Sequence, residues 1–380
     1  MQRILVLLAL AVLLAACGKN SKRENIEEAA ELLELTPTAS ISQVWHQNLG
    51  KGERRLGSRQ HPILDGNRVY AADPKGELVA FDADSGAAVW SIETGLRLSS
   101  SSGVGEGTLV VGTLDGVVAA FNPDSGSERW RARVSSEVLA APVVARGLVV
   151  VRGIDGRVFA FSIIDGERRW AYDQGTPALT LRGNSSPILA EGLVLLGYDS
   201  GKIVALRGED GSQLWEQTIA FGEGRSELDR MVDIDGELAY DAGQLYAAAF
   251  NAQVVGVSLD GGRPLWNREM SSYAGVTLSG KRLFVTDRDG VLWALDRDSG
   301  AALWKQDGLG HRWLTTPAVQ GNNVVVGDFE GYLHWFDIET GRPAARERLD
   351  RKPIRATPQV QGDLLVAVST DGRLGAFRIH

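Results

Sequence analysis

The sequence predicts an all-β fold, an eight-bladed β-propeller of four-stranded antiparallel blades closed by pairing of its N- and C-terminal strands. Three observations lead there. A pattern of glycine, aromatic, glycine and tryptophan returns along the chain in eight copies. The strands inside each copy are apolar on both faces, and each chain end lacks what the other carries.

The pattern is plainest at Gly76, Phe81, Gly86 and Trp90, and Gly116, Phe121, Gly126 and Trp130 repeat it at the same offsets. Gly156, Phe161, Gly166 and Trp170 come next, then Gly201, Leu206, Gly211 and Trp215. A degenerate copy has Ala252, Val257, Gly262 and Trp266, and Gly290, Leu295, Gly300 and Trp304 restore the pattern. The seventh copy has Gly331, Phe336 and Gly341 but Ala345 where tryptophan is expected, and the eighth has Gly372 and Phe377 before the chain stops at His380. The copies are spaced about 40 residues apart, the length of a propeller blade.

Each part of the pattern has a mechanical reason. Asp-Gly pairs such as Asp115-Gly116 and Asp371-Gly372 suit tight hairpins that need positive φ. The following strands, Leu78 to Phe81 or Val117 to Phe121, are apolar throughout, as expected of a sheet covered on both sides by neighbouring blades. Segments such as Asp84-Ser85-Gly86 and Asp298-Ser299-Gly300 turn the chain into an outer strand that carries the tryptophan. The eighth copy ends without that outer strand, while Val44-Trp45-His46 resembles one that has lost its blade. Pairing the two closes the ring and removes an open edge.

Ahead of the repeats, Arg3 precedes an apolar run from Ile4 to Ala16, the length of a signal-peptide core and too short to span a bilayer. It ends in Leu14-Ala15-Ala16-Cys17, which resembles the lipobox of bacterial lipoproteins. That resemblance implies lipidation of Cys17 and, with Gly18 next to it, sorting to the outer membrane. Cys17 is the single cysteine, so no intramolecular disulfide is possible. The expected organisation is residues 1–16 as signal peptide, 17–40 as a lipidated tether with about two turns of helix, and 41–380 as the propeller. The net charge of −8 argues against a nucleic-acid partner. The basic cluster Lys51, Arg54, Arg55 and Arg59 reads as a solvated loop.

From each tryptophan to the next copy's first position the chain usually runs 24 to 27 residues. Trp45 to Gly76 (31), Trp170 to Gly201 (31) and Trp215 to Ala252 (37) are longer. All three join an outer strand to the next inner strand, so their extra residues gather on one face, where a rigid scaffold carries function. One holds Leu179-Thr180-Leu181-Arg182, an apolar-plus-arginine group of the kind found at interface hot spots. The next holds Asp233-Ile234-Asp235.

The repeat resembles the pyrroloquinoline-quinone (PQQ)-like repeat over residues 41 to 380. With the lipobox, the length and the two loop motifs, the chain resembles the BamB family of outer-membrane assembly lipoproteins. That resemblance implies a non-enzymatic scaffold of the β-barrel assembly machinery that binds the POTRA domains of the central barrel subunit, with nascent outer-membrane proteins as further candidate partners. Leu179, Leu181, Arg182, Asp233 and Asp235 map onto the family's partner contacts. For the leucines and Arg182 recognition is the favoured reading, the alternative being loop anchors with Arg182 paired to an aspartate. For Asp233 and Asp235 recognition and internal bracing are both open.

PQQ-dependent dehydrogenases share the repeat and are the enzymatic rival. Their vicinal cysteine pair cannot exist here, the five histidines lack metal-ligand spacing, and Asp233-Ile-Asp235-Gly236 lacks the other ligands of an EF-hand. No GxSxG elbow or P-loop occurs. No cofactor is expected. A scaffold for another envelope complex, or capture of unfolded strands at an outer blade edge, are the remaining alternatives.

Overall fold

The computed structural model describes residues 27–50, 52, 57, 59–175, 185–222, 226 and 230–380. The expected signal peptide, Cys17, Lys51, Arg54 and Arg55 lie outside the described residues. Within them, strands pair into eight four-stranded antiparallel sheets, each built from consecutive strands except the last. That blade orders Gln359–Gln361, Leu364–Val368 and Arg373–Ile379 outward, then adds Ile41–Asn48 as its rim strand. Ile41 lies opposite Ile379 and Asn48 opposite Arg373, so the first and last strands close the ring as the sequence predicts. The blades are numbered one to eight here, starting with residues 63–93 and ending with the blade that both termini complete.

The middle strands form the core. Thr108–Gly112 and Val117–Phe121, for example, are buried at every position, because blades cover both of their faces. The rim strands are more exposed, and every one pairs across a register shift beside the tryptophan position. Such a bulge twists the rim strand and carries the indole toward the next blade.

The repeat's glycine and tryptophan meet there. Trp130 lies on Gly166 so closely that a Cβ added to the glycine would sit 2.5 Å from the ring, and its indole donates to Ile163 O at 3.0 Å. Gly166 has φ +72°, so it meets both a conformational and a spatial demand that only glycine satisfies. The same lock joins Trp45 to Gly86, Trp90 to Gly126, Trp170 to Gly211, Trp215 to Gly262, Trp266 to Gly300 and Trp304 to Gly341. In every case the accepting carbonyl stands three residues before the glycine. Burying an indole removes about 150–250 Å² from water, worth roughly 4–6 kcal/mol per seam. The turn itself is held by a carboxylate two residues earlier than the Asp-Ser-Gly segment. Asp82 accepts from Ser85 N (2.9 Å) and Ser85 Oγ (2.7 Å), which holds its carboxyl below the usual range.

Blade seven departs from this. Ala345 stands where the indole is expected, and directly across the sheet from it is Trp335, at a position that is alanine or glycine in the other blades. The large and small residues have exchanged strands. Trp335 is fully buried, donates to Gln320 Oε1 at 2.7 Å and packs edge-on against Phe377 of blade eight, 6.0 Å between ring centroids. Gln320 in turn donates to Phe377 O (3.0 Å) and Asp363 O (2.7 Å), spanning the same seam.

Residues 27–40, expected to belong to a tether with helical turns, form no helix and lie along blades six and seven. Ala30 N donates to Gly310 O (2.9 Å), Thr38 N to Ala344 O (2.8 Å), and Arg346 Nη1 to Leu33 O (3.1 Å). Leu32 packs on the core between these blades, and Ala39 and Ile41 on the core between blades seven and eight. A groove of about 220 Å³, lined by Leu33 and Leu35 on one side and Trp335, Pro343 and Ala345 on the other, marks where the rim indole is missing. The stretch has apolar surface to cover, and covering it wins over the local helical preference.

A candidate protein-binding face

The eight links from rim strand to next inner strand all emerge on one face. The longest joins Gln213–Thr218 to Ala239–Asp241, and another long one joins Arg168–Asp173 to Ile188–Ala190. Leu179, Leu181 and Arg182 belong to the second of these and lie outside the described residues. Asp233 and Asp235 belong to the first, and both are buried, Asp233 completely and Asp235 to 6% exposure.

The buried part of the longest link is tied down at many points. Ile234 is fully buried in the core shared by blades four and five, against Gly197, and its N–H reaches Tyr198 O at 3.3 Å. Phe250 N donates to Asp233 O at 2.9 Å, and Val276 N to Glu237 O at 3.0 Å. Gly236 passes so close to Gly275 that a Cβ there would lie 2.2 Å from its nitrogen. The apolar residue between the two aspartates therefore plugs the body, and the carboxylates flank the plug.

Arg152, at the end of strand Leu148–Arg152 in blade three, is the cation beneath both loops. Its Nη2 lies 2.9 Å from Asp199 Oδ1, both side chains being 4% exposed. Its Nη1 donates to Gly197 O (2.6 Å) and to Ser185 O (3.4 Å), where the other long link rejoins the body. The guanidinium lies over the Tyr198 ring, 4.9 Å from its centroid. Burial pushes the Asp235 carboxyl up to about 8, with the Asp199 and Asp233 charges adding to it against Arg59 and Arg152. Asp235 is thus mostly neutral at pH 7, which makes its burial affordable.

Arg59 is not in a solvated loop. It reaches across the face, its Nη1 donating to Tyr273 O at 3.1 Å. Neither Arg152 nor Asp199 stands out in the repeat pattern, although an arginine closing the apolar run Leu148-Val149-Val150-Val151 is a signal in hindsight. On the outer side of the longest link Phe221 is 72% exposed, and Arg230 is exposed with its N–H on Ser226 O (3.3 Å).

The closed ring, its eightfold repeat and its indole–glycine seams define a propeller of the PQQ-like-repeat class. A family model described as outer membrane protein assembly factor BamB matches residues 38–101, 81–306 and 288–380. The chain is 40% identical to the outer membrane protein assembly factor BamB of Xanthomonas campestris pv. campestris, over all of this chain and 98% of that protein. The crystal structure of BamB from Moraxella catarrhalis superposes with a TM-score of 0.82 at 25% identity, covering 89% of this chain and all of that one. A europium-containing methanol dehydrogenase also superposes, with a TM-score of 0.73 over 89% of this chain and 93% of that one, but at 14% identity the likeness is one of fold alone. The chain belongs to the BamB family of outer membrane protein assembly factors.

Proposed function

We propose that the protein is a non-enzymatic scaffold in outer-membrane β-barrel assembly, anchored by lipid on Cys17 at the periplasmic face of the outer membrane. Its partner is the POTRA region of the central barrel subunit, and its contact surface is the pair of long links on one face of the ring. In this reading Leu179, Leu181 and Arg182 touch the partner. Asp233 and Asp235 hold the neighbouring loop from beneath, which takes up the bracing alternative for them.

The observation that carries this reading is the buried Arg152–Asp199 cluster, to which both links return. A loop fixed to a rigid body loses little further entropy when it binds, so more of its contact energy appears as affinity. Phe221, exposed on the same link as the aspartates, adds the kind of aromatic surface that anchors interfaces. The names of the relatives support a role in outer membrane assembly.

The test is capture of a tagged POTRA region by the soluble form beginning at Lys19, beside the Leu181→Ala/Arg182→Ala variant. Capture by the parent and a loss of at least about tenfold in the variant, with its melting temperature unchanged, is the expected result. A variant that fails to fold would reassign Leu181 and Arg182 to the core. No capture by a folded parent would move the protein to another envelope complex.

A further inference from the structure

On the face that carries the long links, the centre of the ring opens into a cavity of about 450 Å³. All eight rim-to-inner links contribute to its wall, so it belongs to no single blade. Its charge is unlike that of the chain as a whole. Arg59, Arg288 and Arg355 line it, and the carboxylates are Glu237, which accepts a hydrogen bond from Thr357 Oγ1 at 2.8 Å, and Asp235. Asp235 is held mostly neutral at pH 7 by burial, so the arginines dominate. A cationic mouth on a chain of net charge −8 concentrates anionic ligands there.

Trp313 stands in this wall, 64% exposed. Nine of the ten tryptophans donate their indole N–H to a protein acceptor, and Trp313 is the exception among the described residues. Its neighbours hold it outward. Arg312 is buried against Asp328, Nε to Oδ2 2.8 Å, and Leu314 is buried in the core between blades six and seven. Trp313 has φ +52°, a conformation that a bulky side chain adopts only when its surroundings impose it. Arg355 is likewise exposed and makes no ion pair or side-chain hydrogen bond within the described residues.

We propose that this mouth is a second binding site, which takes a short acidic peptide segment bearing an aromatic side chain. The carboxylates pair with Arg355 and Arg288, and the aromatic ring packs on Trp313. Two of the three guanidiniums, Arg59 and Arg355, come from separate links, and the third, Arg288, from the hairpin turn between Arg282–Thr286 and Leu292–Asp296 of blade six. That spread suits carboxylates spaced along an extended peptide and not one compact phosphate group, which needs converging donors. The site does not depend on the POTRA reading, because its ligand contacts, Trp313, Arg288 and Arg355, play no part in that reading and its ligand is different.

The probe is a fluorescein-labelled, amidated Gly-Asp-Phe-Asp-Gly peptide, titrated with the mature protein and read by anisotropy. Saturable binding is expected, weakened roughly tenfold by Trp313→Ala and similarly by Arg355→Glu, and reduced by raising salt from about 0.1 to 0.5 M. Both side chains are exposed, so the variants keep the parent's melting temperature. The proposal is overturned by no binding up to about 1 mM, by equal binding of Gly-Lys-Phe-Lys-Gly, or by insensitivity to both variants. Displacement of the peptide by ATP at lower concentration than unlabelled peptide would also overturn it, in favour of a nucleotide site.

Discussion

Seven seams of the ring and the eighth solve one problem by different means. At seven, a rim indole crosses to the next blade, rests on a glycine with φ between +69° and +73° and donates to the carbonyl three residues earlier. The eighth, between blades seven and eight, has no such glycine to receive an indole, because blade eight is completed by two chain ends and has no turn between its third and rim strands. There the tryptophan has moved one strand inward, as Trp335, and bonds across the seam through Gln320. Blade seven also carries a polar cluster, in which the Arg312 guanidinium and His334 Nε2 (2.9 Å) both bind buried Asp328. The lesson is that a repeat is maintained where its partner surface repeats and is rewritten where that surface ends.

The largest effect should come from removing the means of closure. Deleting residues 41–48 takes away the rim strand of blade eight and the Trp45 lock, and should cost an amount comparable with a domain's net stability of about 5–15 kcal/mol. Loss of cooperative unfolding by calorimetry is the expected outcome, and an unchanged melting temperature would mean that the ring does not depend on closure.

Next comes the exchange itself. Trp130→Ala should cost about 3–5 kcal/mol at an ordinary seam. The double change Trp335→Ala/Ala345→Trp restores the common arrangement in blade seven and should still be destabilised by a similar amount, since no glycine turn receives the new indole. Denaturant titration compares the two, and a double variant as stable as the parent would show that the inward move is incidental.

The smallest effect is one of pH. Burial lowers the His334 pKa from 6.5, outweighing its bond to Asp328. Burial would raise Asp328, but the bond to His334 and the His334 charge, then Tyr332 N and Arg312, hold it low. For both groups the unfolded chain binds more protons in acid, so their contribution is complete above about pH 6.5 and is lost as pH falls. Between pH 7 and 5 blade seven should lose stability, seen as faster amide exchange there than in blades two and three. His334→Gln should flatten that difference; an equal acid response in all blades would remove the distinction.

Much of this was legible in the sequence. Offsets between glycine and tryptophan report on contacts between neighbouring copies, so blade number, blade register and the closing strand all followed from them. Ala345 was visible as an exception. Its counterpart Trp335, one residue before Phe336 where the other copies have alanine or glycine, was equally visible but has meaning only once the two are seen to be paired. The loop residues were harder to read. Asp233 and Asp235 were singled out by their resemblance to a family motif within a long insert, yet burial and not surface display describes where they lie.

What the sequence by itself determined, then, is the ring: a periodic fold is encoded by local spacing, and each copy repeats the instruction. Only the tertiary structure decided what happens where periodicity fails. Arg152 beneath the two links, Trp313 held outward at the channel mouth and residues 27–40 laid along blades six and seven all depend on groups distant in sequence. Their partners converge because the ring closes, and no local pattern records a distance that closure alone creates.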